Sequence, residues 1–392
     1  MWKRFVKLLA CPVCRGDLEL TTFRGALVEI SQDEASLGQK LGLWNAEFNQ
    51  FVDSGLLVCQ DCKMWFPIAR GLPVLLPYAI PLHTEFCTEY GAEISRLGPG
   101  YRPPDKEPMA GERFILDSFS QEWRDYHYDG VLWDQSYDDF EETFLQELGC
   151  NPAEEEGSTY LEVGCGIGVA TYLAHKNFKG DAVGVDLSLA SMKASQHYSG
   201  NPFLHFVQAS AFYMPLKEWS FDVVYSRGVL MFTYSTREAF RAIAKYCRPG
   251  GRLYIWVYGP GSVDAGLLRR AVYVAEAVVR PVLSGRPSSP ATTALLSCAT
   301  AGYMAYNVFD RLRNPKIQRF NYERALHSAR DRFTHRYVHR HQPGEVLGWF
   351  REAGFEDVEL VNWQTIPSTQ QDNYKRNIGV RGKLRAEIQG QA

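Results

Sequence analysis

The stretch L-E-V-G-C-G-I-G at 161–168 constrains this chain more than any other part of it. An apolar run, Tyr160–Val163, leads into three alternate glycines, and Val169–His175 then reads as the start of a helix. Glycines at a strand-to-helix turn let the backbone approach a ligand closely, and the helix amino-terminus offers N–H groups that have no partner of their own. A second run, Ala182–Val185, ends at Asp186, 20 residues after Gly166. Further runs follow at Leu204–Gln208, Phe221–Tyr225 and Arg252–Tyr258. Thr236–Cys247 reads as a helix with Ala239, Phe240, Ile243 and Ala244 on one face and Pro249-Gly250-Gly251 as its stop. Near the end, Val346, Phe350 and Ala353 share one side of a short helix that stops at Gly354, and Val358–Val361 reads as a last strand. This alternation predicts an α/β fold: a parallel, Rossmann-like sheet with helices on both faces.

The turn also limits the ligand. A dinucleotide fingerprint needs G-x-G-x-x-G. Here the third glycine, Gly168, comes one position early, and Val169 stands where a pyrophosphate-binding turn reserves a glycine. Glu162, two residues before Gly164, suits a cationic, ammonium-bearing ligand end better than a diphosphate. Asp186 is placed to accept both hydroxyls of a ribose. The alternative is that the glycines serve only tight strand–helix packing.

Residues from about 112 to 258 resemble class I S-adenosylmethionine-dependent methyltransferases related to the ubiquinone and menaquinone methylating enzymes. The resemblance rests on E-V-G-C-G-I-G at 162–168, V-D-L-S at 185–188, F-D-V-V-Y-S at 221–226 and R-P-G-G-R-L at 248–253. It implies S-adenosyl-L-methionine as cofactor, with Gly164, Gly166 and Gly168 facing it, Asp186 holding its ribose and Leu187 packing on its adenine. Glu162, Cys165, Ser210, Ala211 and Ser226 complete the expected cofactor-binding set. Two departures stand out. The family usually has Asp in a G-D-A element after the third strand, where this chain has A-S-A with Ser210, a hydrogen-bonding group without charge. Relatives often have a histidine after G-V-L; here Met231, Phe232 and Thr233 follow, and no catalytic residue declares itself.

Cys11-Pro-Val-Cys14 and Cys59-Gln-Asp-Cys62 are two Cys-x-x-Cys pairs. Two such pairs suit one tetrahedral thiolate zinc site of structural type. Two unrelated pairs of free thiols are the alternative. The gap between the pairs reads as bridged by a helical insert near Gln39–Phe51. The flanks C-P-V-C-R-G-D-L at 11–18 and L-L-V-C-Q-D-C-K-M-W-F-P-I-A-R-G-L-P-V-L-L-P at 56–77 resemble the small zinc-binding domain that occurs as an activating partner of methyltransferases. The expected organisation is therefore a zinc-ribbon-like α+β domain at 1–80, a linker at 81–111 and a methyltransferase domain at 112–392. The linker's 98–111 part is rich in Pro and Gly.

The 392 residues carry a formal net charge of -3, too near zero to name a partner, and nine cysteines without a secretory signal before them. No stretch of about 18 uncharged apolar residues predicts a transmembrane helix. A reducing, cytoplasmic compartment is expected. Phe119, Trp123, Tyr126, Tyr128, Trp133 and Tyr137 crowd the stretch before the first strand and as a group suit a lid over the cofactor; core packing is the alternative for each. Residues 259–343 exceed what the plain fold needs and read as a helical substrate cap. Its first half is apolar, and Arg311 to His341 holds nine Lys or Arg against Glu323 and Asp331. The histidines there, His335 and His339 among them, are most often structural.

The expected reaction is methyl transfer to a small-molecule or glycan-linked acceptor, with no obligate protein partner. A ribosomal RNA base methyltransferase is the runner-up. A catalytically inactive binding scaffold is a third reading, motivated by Ser210.

Overall fold

A computed structural model describes residues 1–124, 131–132, 135–260, 280, 290–313, 319 and 321–386. The amino-terminal part is a four-stranded antiparallel sheet of β1 (Leu18–Leu27), β2 (Gln50–Cys59), β3 (Trp65–Ala69) and β4 (Leu72–Pro73), in that order. The insert between β1 and β2 is a helix, but over Gln32–Lys40 and not Gln39–Phe51. Ser31 and Glu34 form a reciprocal capping box that fixes its start, and Gln50 already belongs to β2. The stretch read as a linker begins with a helix, Pro81–Ser95. Phe86 and Tyr90 on that helix bury against Leu56, Val58 and Trp65, so it extends the first domain. The Pro/Gly-rich part beyond it is held by isolated bridges from Met64 to Arg102 and from Tyr78 to Asp105.

After a short hairpin, β5 (Val131–Leu132) and β6 (Gln135–Ser136), the chain builds a seven-stranded sheet. Its strands are β7 (Tyr160–Val163), β8 (Ala182–Asp186), β9 (Leu204–Gln208), β10 (Phe221–Arg227), β11 (Cys247–Val257), β12 (Phe355–Leu360) and β13 (Ile378–Leu384). The order is β12-β13-β11-β10-β7-β8-β9. β9, β8, β7, β10 and β11 run parallel, and β13 is antiparallel to both its neighbours. β7 and β10 lie side by side where the strand order reverses, so a crevice opens at their carboxyl ends.

Two boundaries moved. The helix expected to reach Cys247 ends at Ala244, because Cys247 pairs with Phe221 as the first residue of β11. Pro249-Gly250-Gly251 is then an irregularity inside that strand, where the register shifts before Arg252 meets Val223. The last helix is Pro343–Glu352, and the strand after it spans Phe355–Leu360.

The two sheets share one apolar core. The open edge at β9 is covered by the chain's own residues: Val74 bridges Gln208 in parallel, and Leu75 N–H donates to Gln208 C=O at 2.9 Å. Lys217 N–H donates to Leu8 C=O and Ala10 N–H to Pro215 C=O, each at 2.9 Å. Arg4 clamps the buried Asp181 through both guanidinium ends, with Nη1 to Oδ2 at 2.9 Å, and Nη2 also donates to Pro202 C=O at 2.8 Å. Burial opposes ionisation of Asp181, but hydrogen bonds from His205 and then Arg4 hold its carboxyl well below the usual range, while burial pushes His205 down to about 4.

Candidate functional site

The glycine turn sits at the end of β7. Gly164 has φ +81°, and a Cβ there would fall 2.1 Å from the Val229 side chain, so the turn closes against the segment after β10 only with glycine. Gly166 N–H donates to Asp186 Oδ2 at 2.8 Å. Asp186 Oδ1 accepts from Ser188 N–H at 2.8 Å and from its hydroxyl at 2.7 Å. One carboxylate thus ties the turn to the end of β8 with three bonds, out of about four that two carboxylate oxygens can accept. Burial raises the Asp186 carboxyl above its ordinary value, against the opposing hydrogen bonds from Ser188.

A cavity of about 920 Å³ opens beside this turn, a size ordinary for a small-molecule site. One set of lining residues comes from the turn and its surroundings: Glu162, Gly164, Cys165, Gly166, Asp186, Leu187 and Ala211. Glu162 is buried, with Thr171 Oγ1 donating to Oε2 at 2.5 Å. Burial pushes its carboxyl up to about 8. The side chain and the backbone N–H of Thr171 oppose that rise, and a cation brought beside this buried carboxyl would favour its charged form.

Three of the expected cofactor residues lie off the cavity. Gly168 caps the next helix, and a Cβ there would fall 2.6 Å from the Phe206 ring, so it serves helix–sheet packing. Ser226 is fully buried and donates to Val163 C=O at 2.9 Å, joining β10 to β7. Ser210 is fully buried behind the lining. What faces the cavity beside it is Glu112, on the helix Glu112–Arg124. Burial raises the Glu112 carboxyl, opposed first by a hydrogen bond from the Ser210 side chain and then by Met109 N–H, which donates at 3.1 Å. The sequence reading missed Glu112 because it lies nearly a hundred positions from Ser210.

A second set of lining residues is basic and polar. Arg227, Arg280, Arg340, Lys375 and Arg376 border the cavity, with Asp372 and Asn377. Arg227 is anchored from behind by Glu147, fully buried, at 3.2 Å. Glu147 also accepts the hydroxyls of Tyr225 and Tyr254, each at 2.6 Å, and that of Tyr374. Three phenols and a guanidinium on one carboxylate are a rigid support, and they hold the Arg227 charge well above its ordinary pKa despite burial. Arg227 follows directly on F-D-V-V-Y-S at the carboxyl end of β10, the position at which an α/β sheet presents site residues, so its role was accessible from the pattern.

Phe119 and Trp123 line the cavity, Tyr137 does not, and Tyr126, Tyr128 and Trp133 lie outside the described residues. Of the 259–343 insert, the described part includes the helices Pro290–Arg313 and Tyr322–Phe333; Tyr303, Tyr306, Asn307 and Ser328 from them reach the cavity. The histidines are fasteners. His335 stacks on Phe119 at 4.1 Å and lies 3.3 Å from Glu122. His339 contacts Thr233 C=O at 2.9 Å and His341 contacts Thr236 Oγ1 at 2.9 Å. None of the three lines the cavity.

Away from this cavity, the sulfurs of Cys11, Cys14, Cys59 and Cys62 all lie within 4.8 Å of one another. Cys11 and Cys62 are 3.6 Å apart and Cys14 and Cys59 3.3 Å. Sulfurs about 2.3 Å from one central ion would be separated by roughly 3.8 Å at tetrahedral angles.

Residues 161–255 match the family described as "Methyltransferase domain", and residues 3–71 match the family described as "Trm112p-like protein". The chain joins a Trm112p-like domain to a class I methyltransferase domain. Over 117 residues, the chain is similar to phosphoethanolamine N-methyltransferase 3 of Arabidopsis thaliana, with 34% identity, 29% of this chain and 23% of that protein covered. It is also similar to malonyl-[acyl-carrier protein] O-methyltransferase of a Marinomonas species, 25% identical over 162 residues, covering 41% of this chain and 57% of the relative. Phosphoethanolamine N-methyltransferase 2 of Haemonchus contortus, solved with phosphomonomethylethanolamine and S-adenosylhomocysteine, superimposes with a TM-score of 0.42 at 15% identity, covering 72% of this chain and 61% of that one. The chain spans about a quarter of the length of the plant relative and just over half of the bacterial one.

Proposed function

We propose that this chain is an S-adenosylmethionine-dependent methyltransferase that acts on a small, anionic acceptor and carries its Trm112p-like domain in cis. The observation that carries the reading is the polarity of the cavity: carboxylates Glu162, Asp186 and Glu112 in one set of lining residues, cations in the other. S-adenosylmethionine fits the first set. It would supply a methyl group already activated on a sulfonium. Glu162 matches the ammonium end, and Asp186 Oδ2 retains capacity for a ribose hydroxyl. Leu187 and Ala211 offer apolar surface to the adenine. Glu112 restores, from a different element, the acceptor that Ser210 cannot provide as a charge; this removes the motive for an inactive scaffold.

The second set would hold the acceptor. Arg227, fixed by Glu147, presents a pre-oriented guanidinium suited to a carboxylate or phosphate. Fixing donor and acceptor in one cavity supplies much of the rate of a direct displacement. The relatives named for phosphoethanolamine and for a malonyl carrier protein act on acceptors that bear anionic groups, in keeping with this electrostatics. The RNA reading is less well supported, because two of the nine cations in the basic stretch from Arg311 to His341 are engaged within the chain: Arg330 donates to Gln121 C=O at 3.3 Å and Arg340 lies over the Tyr258 ring at 5.4 Å. The four-cysteine cluster is assigned to structural zinc on its donor set and spacing.

The test is calorimetric titration with S-adenosylmethionine. Asp186→Ala removes a charge-assisted ribose contact and should weaken binding by about 1.5–3 kcal/mol. Unchanged affinity in that variant, or a preference for a nicotinamide dinucleotide, would overturn the assignment.

A further inference from the structure

The helix Pro290–Arg313 is inside out. Its 20 residues from Pro290 to Phe309 contain no Asp, Glu, Lys or Arg. Its buried side is notably polar: Thr292 and Thr300 are 1% exposed and Asn307 3%, with Leu296 between them. Its outward arc is apolar. Leu295, Met304 and Tyr306 are exposed, as are Val308 at 56%, Phe309 at 49% and Leu312 at 80%. At 100° per residue Val308, Phe309 and Leu312 lie opposite the buried threonines, with Leu295, Met304 and Tyr306 at the margins of that arc. A helix on a water-facing surface normally shows the reverse. A contiguous apolar arc of this kind marks a surface that something covers.

Three observations say what covers it. The chain continues directly from the apolar arc into R-L-R-N-P-K-I-Q-R at 311–319, and Arg319 is exposed. Those nine positions hold four cations and no acid. Such a juxtaposition of uncharged apolar arc and cations is complementary to the interface of an anionic bilayer, where apolar side chains enter the acyl boundary and cations meet headgroups. Finally, the same helix borders the cavity: Tyr306 is both 44% exposed and part of the cavity wall, beside Tyr303 and Asn307. No helix among the described residues is long and apolar enough to cross a membrane, so the geometry is that of lying on the surface.

We infer that the outward face of Pro290–Arg313 seats this protein on an anionic phospholipid surface. The cavity thereby faces acceptors resident in that surface. This second consequence rests on the methyltransferase reading; the docking does not.

The experiment is sedimentation of the full chain with vesicles of phosphatidylcholine alone and of phosphatidylcholine mixed with phosphatidylglycerol, without cofactor. Binding to the mixed vesicles is expected, with little to phosphatidylcholine alone and a loss on adding salt. Phe309→Glu and Leu312→Glu should each lower the partition coefficient roughly tenfold or more, the scale of one large apolar side chain withdrawn from the acyl region. Phe309→Leu should retain binding. Neither residue lines the cavity, and unchanged melting temperatures would show that the variants fold. Absence of binding by the wild-type chain overturns the inference. So does equal binding by the glutamate variants, or a wild-type dimer in solution that ignores vesicles and that the same variants dissociate. Because no cofactor is present, these results stand apart from failure of the calorimetric test.

Discussion

Glu162 gives the most exacting test of how the cavity recognises its cofactor. Its carboxyl is buried and its pKa is pushed from an ordinary 4.5 up to about 8. Forming the anion inside the apo site therefore costs on the order of 5 kcal/mol at about 1.4 kcal/mol per pH unit. The sign follows directly. With the folded value raised, the group's contribution to stability is complete below pH 4.5 and is lost as pH rises from 4.5 toward 8. At pH 7 the apo carboxyl is mostly protonated. An incoming ammonium and sulfonium favour the anion, so binding must expel a proton, roughly 0.9 per complex at that pH. Affinity should rise by up to about tenfold per pH unit between about pH 6 and 8, until the ligand's own amino group, near 8, begins to lose its charge.

The assay is titration calorimetry at pH 7 in buffers of differing ionisation heat, with wild type and Glu162→Gln. Wild type should release the proton and the variant should not. The variant should bind more weakly at pH 8, yet its apo form should melt at higher temperature than wild type there and almost together with it near pH 5. A wild-type complex that forms without proton release, or a variant with the same pH slope, would refute the view of Glu162 as a carboxylate kept neutral until a cation arrives.

Other outcomes follow from the same structure. Glu112→Gln should weaken S-adenosylmethionine binding by about 1–2 kcal/mol and erase discrimination against an analogue with inosine in place of adenosine, both read by titration. Elemental analysis of the wild-type chain should find one equivalent of zinc, and Cys59→Ser should release it and unfold the first domain, as seen by loss of β-sheet circular dichroism. Arg4→Met should destabilise the chain by about 3–5 kcal/mol in chemical denaturation by stranding the Asp181 charge, whereas Arg4→Met with Asp181→Leu should recover most of it. Because Asp181 is held below its ordinary range, its wild-type contribution is present at neutral pH and disappears only as acid protonates it.

The central strands were legible because each is a short apolar run punctuated by glycine, proline or a terminal acid, and Tyr160–Val163, Ala182–Asp186 and Leu204–Gln208 fall where that pattern places them. β13 was not legible. I-G-V-R-G-K-L interrupts its apolar residues with two glycines and two cations, and its place between β11 and β12 is fixed by pairing partners far away in the chain. The site divides the same way. Glu162, Gly164, Gly166 and Asp186 lie within one strand–turn–helix–strand unit, where spacing carries the geometry. Ser226 and Gly168 matched the pattern but face inward, since alternate residues of a strand and the first residue of a helix differ in direction by a single step that motif matching does not register. Glu112, Glu147 and residues 368–377 join the site only through tertiary packing.

The covering of β9 bears on why the two domains occupy one chain. A parallel sheet with an open edge invites another strand. Here Val74 and Leu75 pair with Gln208, and the same short segment is held by the core under Tyr78. Tyr78 and Glu112 contact each other electrostatically, with the Glu112 carboxylate raising the buried Tyr78 phenol further after burial itself. The segment that follows the Trm112p-like match therefore meets a wall of the cavity through Tyr78 and Glu112, and the chain beyond it is tethered at Arg102 and Asp105. Tethering makes the effective concentration of the first domain at β9 far higher than a separate partner could reach. On this geometry the strand edge at β9 is occupied by the chain's own residues and is no longer available to a second molecule.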